Sequence, residues 1–181
     1  MTRIPELSRE ELNSEQGRVY DEIKAEGGPL AGPYTPYIRY PKLMREARNT
    51  SLCLAAGGLT KRERQIVVLA VVRFWGAEFP WAVQAKGALE AGLQPETIDL
   101  INAGGRPSFS DPREQAAYDI ANELLHRKKL SEDSFNRAAG LFDEQGLVCL
   151  IGNIGQFSMS CLVTNAYECD PPAEVPHRLK H

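Results

Sequence analysis

This sequence predicts an all-α fold, one domain of about eight helices, on three observations. Helix-start chemistry recurs along the chain, helix-stop glycines follow it at helical distances, and strand-type alternation is missing. The only β-branched cluster, Ile66-Val67-Val68 with Val71-Val72, follows directly on Thr60-Lys61-Arg62-Glu63. That tetrad is a capping box, in which a threonine hydroxyl and a glutamate carboxylate satisfy orphan amides, and it outweighs the local β propensity.

In chain order, Ser8 or Asn13 opens a first helix that runs to about Ala25. Gly27 to Pro41, GGPLAGPYTPYIRYP, is expected to be the one extended loop, because its four prolines bias the preceding residues away from helical dihedrals. Pro41 is a first-turn proline for KLMREARNTSLCLAA, which stops at Gly57-Gly58. The capped helix from Thr60 comes next, then one with Pro80 in its first turn and Gly92 at its end, then one closed by Gly104-Gly105. Asp111-Pro112 opens REQAAYDIANELL, where Ala116, Ala117, Ile120, Ala121, Leu124 and Leu125 recur at three and four residues as one core-facing stripe. Its basic end, His126-Arg127-Lys128-Lys129, complements the negative end of the helix dipole. Ser131 opens FNRAAGLF.

The final helix lies in Gln145 to Tyr167, a stretch without Asp, Glu, Lys or Arg and long enough to span a bilayer. Asn153, Gln156, Ser158, Ser160, Thr164 and Asn165 make it too polar for lipid, so it is expected to be buried in protein. A terminal helix of a small chain is hard to bury on every face within one subunit. A homo-oligomer (dimer, trimer or hexamer) is therefore expected.

At 181 residues and 43% hydrophobic the chain fills one core. Its 21 basic and 24 acidic residues leave a net charge of −3, which carries no footprint for nucleic acid or an anionic membrane. Cys53, Cys149, Cys161 and Cys169 show no paired spacing, so neither a zinc knuckle nor a thioredoxin-like pair can be read from them. With an N-terminus that lacks a signal-like apolar run, free thiols point to the cytoplasm. His177 and His181, even with Glu174, are too sparse for a metal site, and no cofactor is expected.

Residues 59–93, LTKRERQIVVLAVVRFWGAEFPWAVQAKGALEAGL, resemble the signature helix pair of the carboxymuconolactone decarboxylase family, whose other branch is alkylhydroperoxidase D. The resemblance implies an alkylhydroperoxidase D-like helical bundle, oligomeric and free of organic cofactors. The redox branch places a glutamate twelve residues before Cys-x-x-Cys-x-x-x-His; here those positions hold Gln65, Ala77, Pro80 and Gln84. Thiol peroxidase chemistry needs an attacking thiolate, a resolving thiol and a base, so the resemblance disfavours it here. In the decarboxylase branch a histidine stands where Gln84 does, and glutamine exchanges no proton near neutral pH. The module is expected over 59–170, after an extension with helices and a Pro/Gly-rich loop over 1–58 and before a polar tail over 171–181.

Glu78, between Phe74, Trp75, Phe79 and Trp81, is a candidate proton carrier, and equally a favourable charge at the start of the Pro80 helix. Arg73, in the apolar VVLAVVRFW, either holds a substrate carboxylate or forms a structural ion pair with Glu78. Gln65 and Gln84 are amides that orient a ligand or bond each other. Trp75, Trp81, Tyr34 and Tyr37 line an aromatic pocket or fill the core. Asn165 is expected to satisfy backbone or cross-subunit groups. The resemblance then implies either a cofactor-free lyase for a small cyclic carboxylated compound, with Glu78 and Gln84 as its catalytic pair, or a non-catalytic binding or assembly protein on the same scaffold.

Overall fold

The computed structural model describes residues 2–173 and 177–180, and among them nine helices and no strand. A 3₁₀ turn, Arg9–Glu11, precedes α1 (Ser14–Ala25), α2 (Tyr34–Tyr37), α3 (Pro41–Ala55), α4 (Lys61–Phe74) and α5 (Glu78–Glu90). α6 (Pro95–Asn102), α7 (Pro112–Arg127), α8 (Glu132–Ala139) and α9 (Glu144–Ala166) complete the bundle. Both candidate N-terminal caps are used: Glu11 reaches back to the Ser8 amide at 2.8 Å to close the 3₁₀ turn, and Asn13 accepts from the Gln16 amide at 2.9 Å to open α1.

α4 lies at the centre. It packs against α5, α6, α7 and α9 at once, so Ile66, Val67, Val68, Leu69, Val71 and Val72 are all fully buried, on every face of the helix. This is why a run that is hydrophobic all round folds as a helix here and needs no pleated surface. Each such side chain contributes about 1.5–3 kcal/mol relative to an exposed position. A second, smaller core joins α1, α2 and α3 through Val19, Ile23, Tyr34, Tyr37, Ile38, Met44 and Ala47.

The stretch expected to be an extended loop contains α2, a correction with a local cause. Pro36 falls in the first turn of that short helix, where an amide hydrogen would have had no helical acceptor, and all four residues of α2 are buried. Burial of Tyr34 and Tyr37, whose rings meet edge to face at 5.9 Å, overrides the pre-proline bias on Thr35.

α9 packs against α3, α4, α5, α7 and α8, with Leu150, Asn153, Cys161 and Thr164 buried. By length and composition alone it could cross a membrane. Its outer side leaves Val148, Ile151 and Leu162 uncovered, 68%, 43% and 50% exposed.

Candidate functional site

The rotation of α4 decides which way its polar side chains face, and its first turn fixes that rotation. Thr60 donates its amide to Glu63 Oε2 at 2.8 Å, and its Oγ1 accepts from the Glu63 amide at 3.1 Å. Arg113 on α7 donates from Nε to Glu63 Oε1 at 2.6 Å, and from Nη1 to the Leu141 carbonyl. Burial opposes a charge on Glu63, but the Arg113 guanidinium and the Thr60 amide outweigh it and hold the carboxyl below its ordinary value.

From that anchor, Gln65 faces α5. It is 8% exposed, and its Nε2 donates to the Gln84 backbone carbonyl at 3.3 Å. Gly87 makes this approach possible: a Cβ there would stand 2.2 Å from Gln65 Nε2. Gln65 Oε1 is buried and accepts no hydrogen bond from the described residues. The amides at 65 and 84 are therefore neighbours, but Gln65 bonds the Gln84 main chain and not its side chain.

Arg64 faces α9. Its Nε donates to Asn153 Oδ1 at 3.0 Å, its guanidinium lies 5.5 Å from the Phe157 ring centroid, and the fully buried Asn153 donates in turn to the Cys149 carbonyl. Among the described residues no carboxylate pairs with it, and burial pulls its pKa below the ordinary arginine value. Sequence reasoning missed this residue because it directly follows the Thr60–Glu63 capping box, whose chemistry already accounts for a polar helix start. The available signal was that Arg64, Val68, Val71 and Trp75 share one face at helical spacing, with a single charge on it. Trp75 extends that face: its Nε1 donates to Ser158 Oγ at 3.0 Å, and its carbonyl accepts from Asn165 Nδ2 at 2.8 Å. Asn165 thus satisfies backbone, as expected.

The other candidates lie elsewhere. Glu78 is exposed in the first turn of α5, and Gln84, six positions later, is turned about 240° from it. Arg73 is nine positions after Arg64, on the opposite side of α4, in a cavity with Phe74, Gly104, Tyr118, Asn122 and His126 that neither Glu78 nor Gln84 lines. Trp81 is fully buried with its Nε1 bonded to the His177 carbonyl at 3.0 Å, and Tyr34 is buried in the N-terminal core. Of the aromatic side chains proposed as one pocket, these two are core, because a completely enclosed ring finds its polar partner inside the fold.

Ala77 and Pro80 are buried where the redox branch would carry sulfur. Burial pushes Cys161 up to about 12, burial and then neighbouring Cys53 raise Cys149, and burial raises Cys169. His177 Nδ1 sits 3.0 Å from Asp99 Oδ1, while His181 and Glu174 lie outside the described residues. Among the described residues no three His, Cys, Asp or Glu side chains gather as metal ligands.

A central apolar helix hairpinned to a second, with a long helix that is uncharged after Glu144 laid across both, defines an all-helical bundle of the alkylhydroperoxidase D type. The chain is similar to a crystal structure of an alkylhydroperoxidase AhpD core, an uncharacterized peroxidase-related protein from Ralstonia eutropha, with 18% identity over 95% of this chain and 93% of that one and a TM-score of 0.77. An uncharacterized peroxidase-related protein from a Silicibacter species matches with a TM-score of 0.78 at 14% identity, covering 99% and 96%. A protein of unknown function from Agrobacterium tumefaciens matches at 0.67 and 16%, covering 74% and 93%. At these identities the likeness is one of fold. No curated protein matches the chain.

Residues 40–123 match the model of the carboxymuconolactone decarboxylase family, and over that stretch the chain is similar to that family. The match begins at Tyr40, inside the segment read as an extension, and ends in α7, before α8 and α9.

Proposed function

We propose that this chain is a small-molecule-binding member of the family that holds a carboxylated compound where α4, α5 and α9 meet. The observation that carries this reading is Arg64, a half-buried guanidinium that bonds Asn153 and has no carboxylate partner among the described residues, on the helix whose next residue presents a buried amide oxygen, Gln65 Oε1, without a donor among them. A ligand carboxylate answers the first through paired N–H donors, and a ligand hydroxyl answers the second. Gln65, Gln84, Asn153 and Ser158 orient a polar ring without exchanging protons. Self-association through α9 accompanies this reading, supported by the uncovered Val148, Ile151 and Leu162. The four free thiols suit a reducing compartment such as the cytoplasm.

A lyase is the second reading, and Glu78 is what favours it. It is a carboxyl group in the first turn of α5, next in sequence to aromatic side chains, and it would return a proton to carbon after a carboxylated lactone loses carbon dioxide. Thiol peroxidase activity is disfavoured, since Ala77 and Pro80 carry no sulfur and three of the four cysteines are held as thiols.

The test is a thermal-shift and calorimetric screen of small carboxylic acids, carboxylated lactones included, followed by chromatography of the bound compound. A ligand that stabilises the protein, is recovered unchanged and is lost in Arg64→Gln supports binding. Conversion that survives Cys53→Ser but not Glu78→Gln establishes the lyase instead. Peroxide consumption with thiol turnover defeats both.

A further inference from the structure

On the opposite side of α4 from Arg64, a cavity of about 340 Å³ opens between α4, α6 and α7. Arg73 enters it from the last turn of α4. Among the described residues its buried Nε finds no acceptor and no carboxylate pairs with it. The helix dipole accounts for a cation at this end of α4. It does not account for a buried donor without an acceptor, which is rare in a folded protein and costs free energy that an incoming acceptor recovers.

The surrounding charges leave Arg73 alone. The cavity adjoins a groove of about 420 Å³ with which it shares Gly104, Tyr118, Asn122 and His126. The two carboxylates of that groove are already taken: Asp119 accepts from Arg106 at 2.7 Å and faces Arg137 at 3.6 Å, and Glu123 faces Arg127 at 3.7 Å while accepting from the Ser131 amide. Counting Arg73, four arginines face two carboxylates across the joined space, so its field favours an anion.

The remaining walls mix apolar Ala70, Phe74 and Ile101 with polar Tyr118, Asn122 and His126, and several of them are held in place. Phe74 and His126 meet edge to face at 5.0 Å, and Phe74 meets Trp75 in the same way at 5.2 Å. Tyr118 bonds the Gly105 carbonyl at 3.2 Å, and Asn122 Nδ2 bonds the Tyr118 carbonyl at 3.1 Å. Gly104, at φ +77°, ends α6 with a left-handed turn beside Arg73, and it is this backbone conformation that calls for glycine there. The volume falls within the range of small-ligand sites.

We propose that this cavity is a second binding site, for a small organic carboxylate: Arg73 takes the charge, Asn122 and His126 flank it, and the apolar body lies against Phe74. It does not depend on the Arg64 site, since the two guanidinium groups stand nine positions apart and about 180° around α4.

The test uses benzoate as the probe, benzamide as its uncharged analogue and inorganic phosphate as an anion without an apolar body. Binding is followed by calorimetry and by the proton resonances of His126 and Tyr118. Benzoate shifts both side chains, benzamide and phosphate do not, and Arg73→Gln weakens the benzoate-induced shifts of His126 and Tyr118 at least about tenfold. Arg73→Lys, which keeps the charge but loses the fork, falls between, and it serves as the test if Arg73→Gln does not fold. Equal binding by the wild type and the Arg73 variants overturns the proposal. So does the absence of any His126 shift up to about 10 mM benzoate, a concentration that would detect even weak binding. Benzamide or phosphate binding as well as benzoate overturns the ligand class.

Discussion

Glu63→Gln isolates the charge that locks α4 to α7. The carboxylate accepts at 2.6 Å from Arg113 and at 2.8 Å from the Thr60 amide, and its side chain is 3% exposed. Glutamine keeps the size and one acceptor, but it turns an NH₂ group toward either Arg113 or the Thr60 amide, both donors. Breaking a buried pair costs about 3–5 kcal/mol. The Arg113 side chain is 35% exposed and regains water, so the expected loss here is smaller, about 2–3 kcal/mol. For a chain of this size that lowers Tm by roughly 4–12 °C. The carboxyl titrates lower in the folded state than in the unfolded one, so its contribution is complete above the ordinary carboxylate value of about 4.3 and is lost as pH falls through the depressed folded value. Urea unfolding of the wild type and the variant at fixed protein concentration, at pH 7 and then downward, should show the gap closing below about pH 4. A gap under about 0.5 kcal/mol at neutral pH, or one that persists undiminished into acid, refutes the assignment.

Three further outcomes follow from the packing. Gly57→Ala places a Cβ 1.9 Å from Cys149 Sγ and should cost about 1–3 kcal/mol, most of it recovered in Gly57→Ala/Cys149→Ala, as a thermal double-mutant cycle will show. Gly87→Ala drives a methyl group into Gln65 Nε2 at 2.2 Å and should abolish ligand stabilisation at the proposed α4–α5–α9 site, whereas Gly140→Ala, whose nearest atom is 3.6 Å away, should leave it intact in the same thermal-shift assay. Val148→Lys/Ile151→Lys puts two charges on the uncovered side of α9 and, on the proposed self-association through that side, should shift light-scattering mass toward the monomer without lowering helix content by circular dichroism.

Helix starts and stops were written locally and could be read directly. Thr60, Asn13, Asp111 and Ser131 each cap the helix they announce, because a cap is a bond between residues two or three apart. Gly58, Gly92 and Gly104 take positive φ at the ends they mark, since that conformation is a property of one residue. The family match likewise rests on local pattern, and so does the loss of sulfur at 77 and 80.

Other features needed the assembled bundle. α2 forms inside a proline-rich segment because two tyrosines find a core supplied by α1 and α3. Trp81 became core and Arg64 became the charged group of the α4–α9 face because those outcomes depend on which helix stands opposite, and contacts across 83 to 96 residues set that. Arg73 read either as a holder of a substrate carboxylate or as a partner for Glu78 five positions on, and it opens into a cavity that α6 and α7 help to build. A sequence specifies its helices through interactions within a turn or two. Which face of each helix meets ligand, core or solvent is decided by packing between segments far apart in the chain, through the rotation that caps and ion pairs such as Thr60, Glu63 and Arg113 impose on α4.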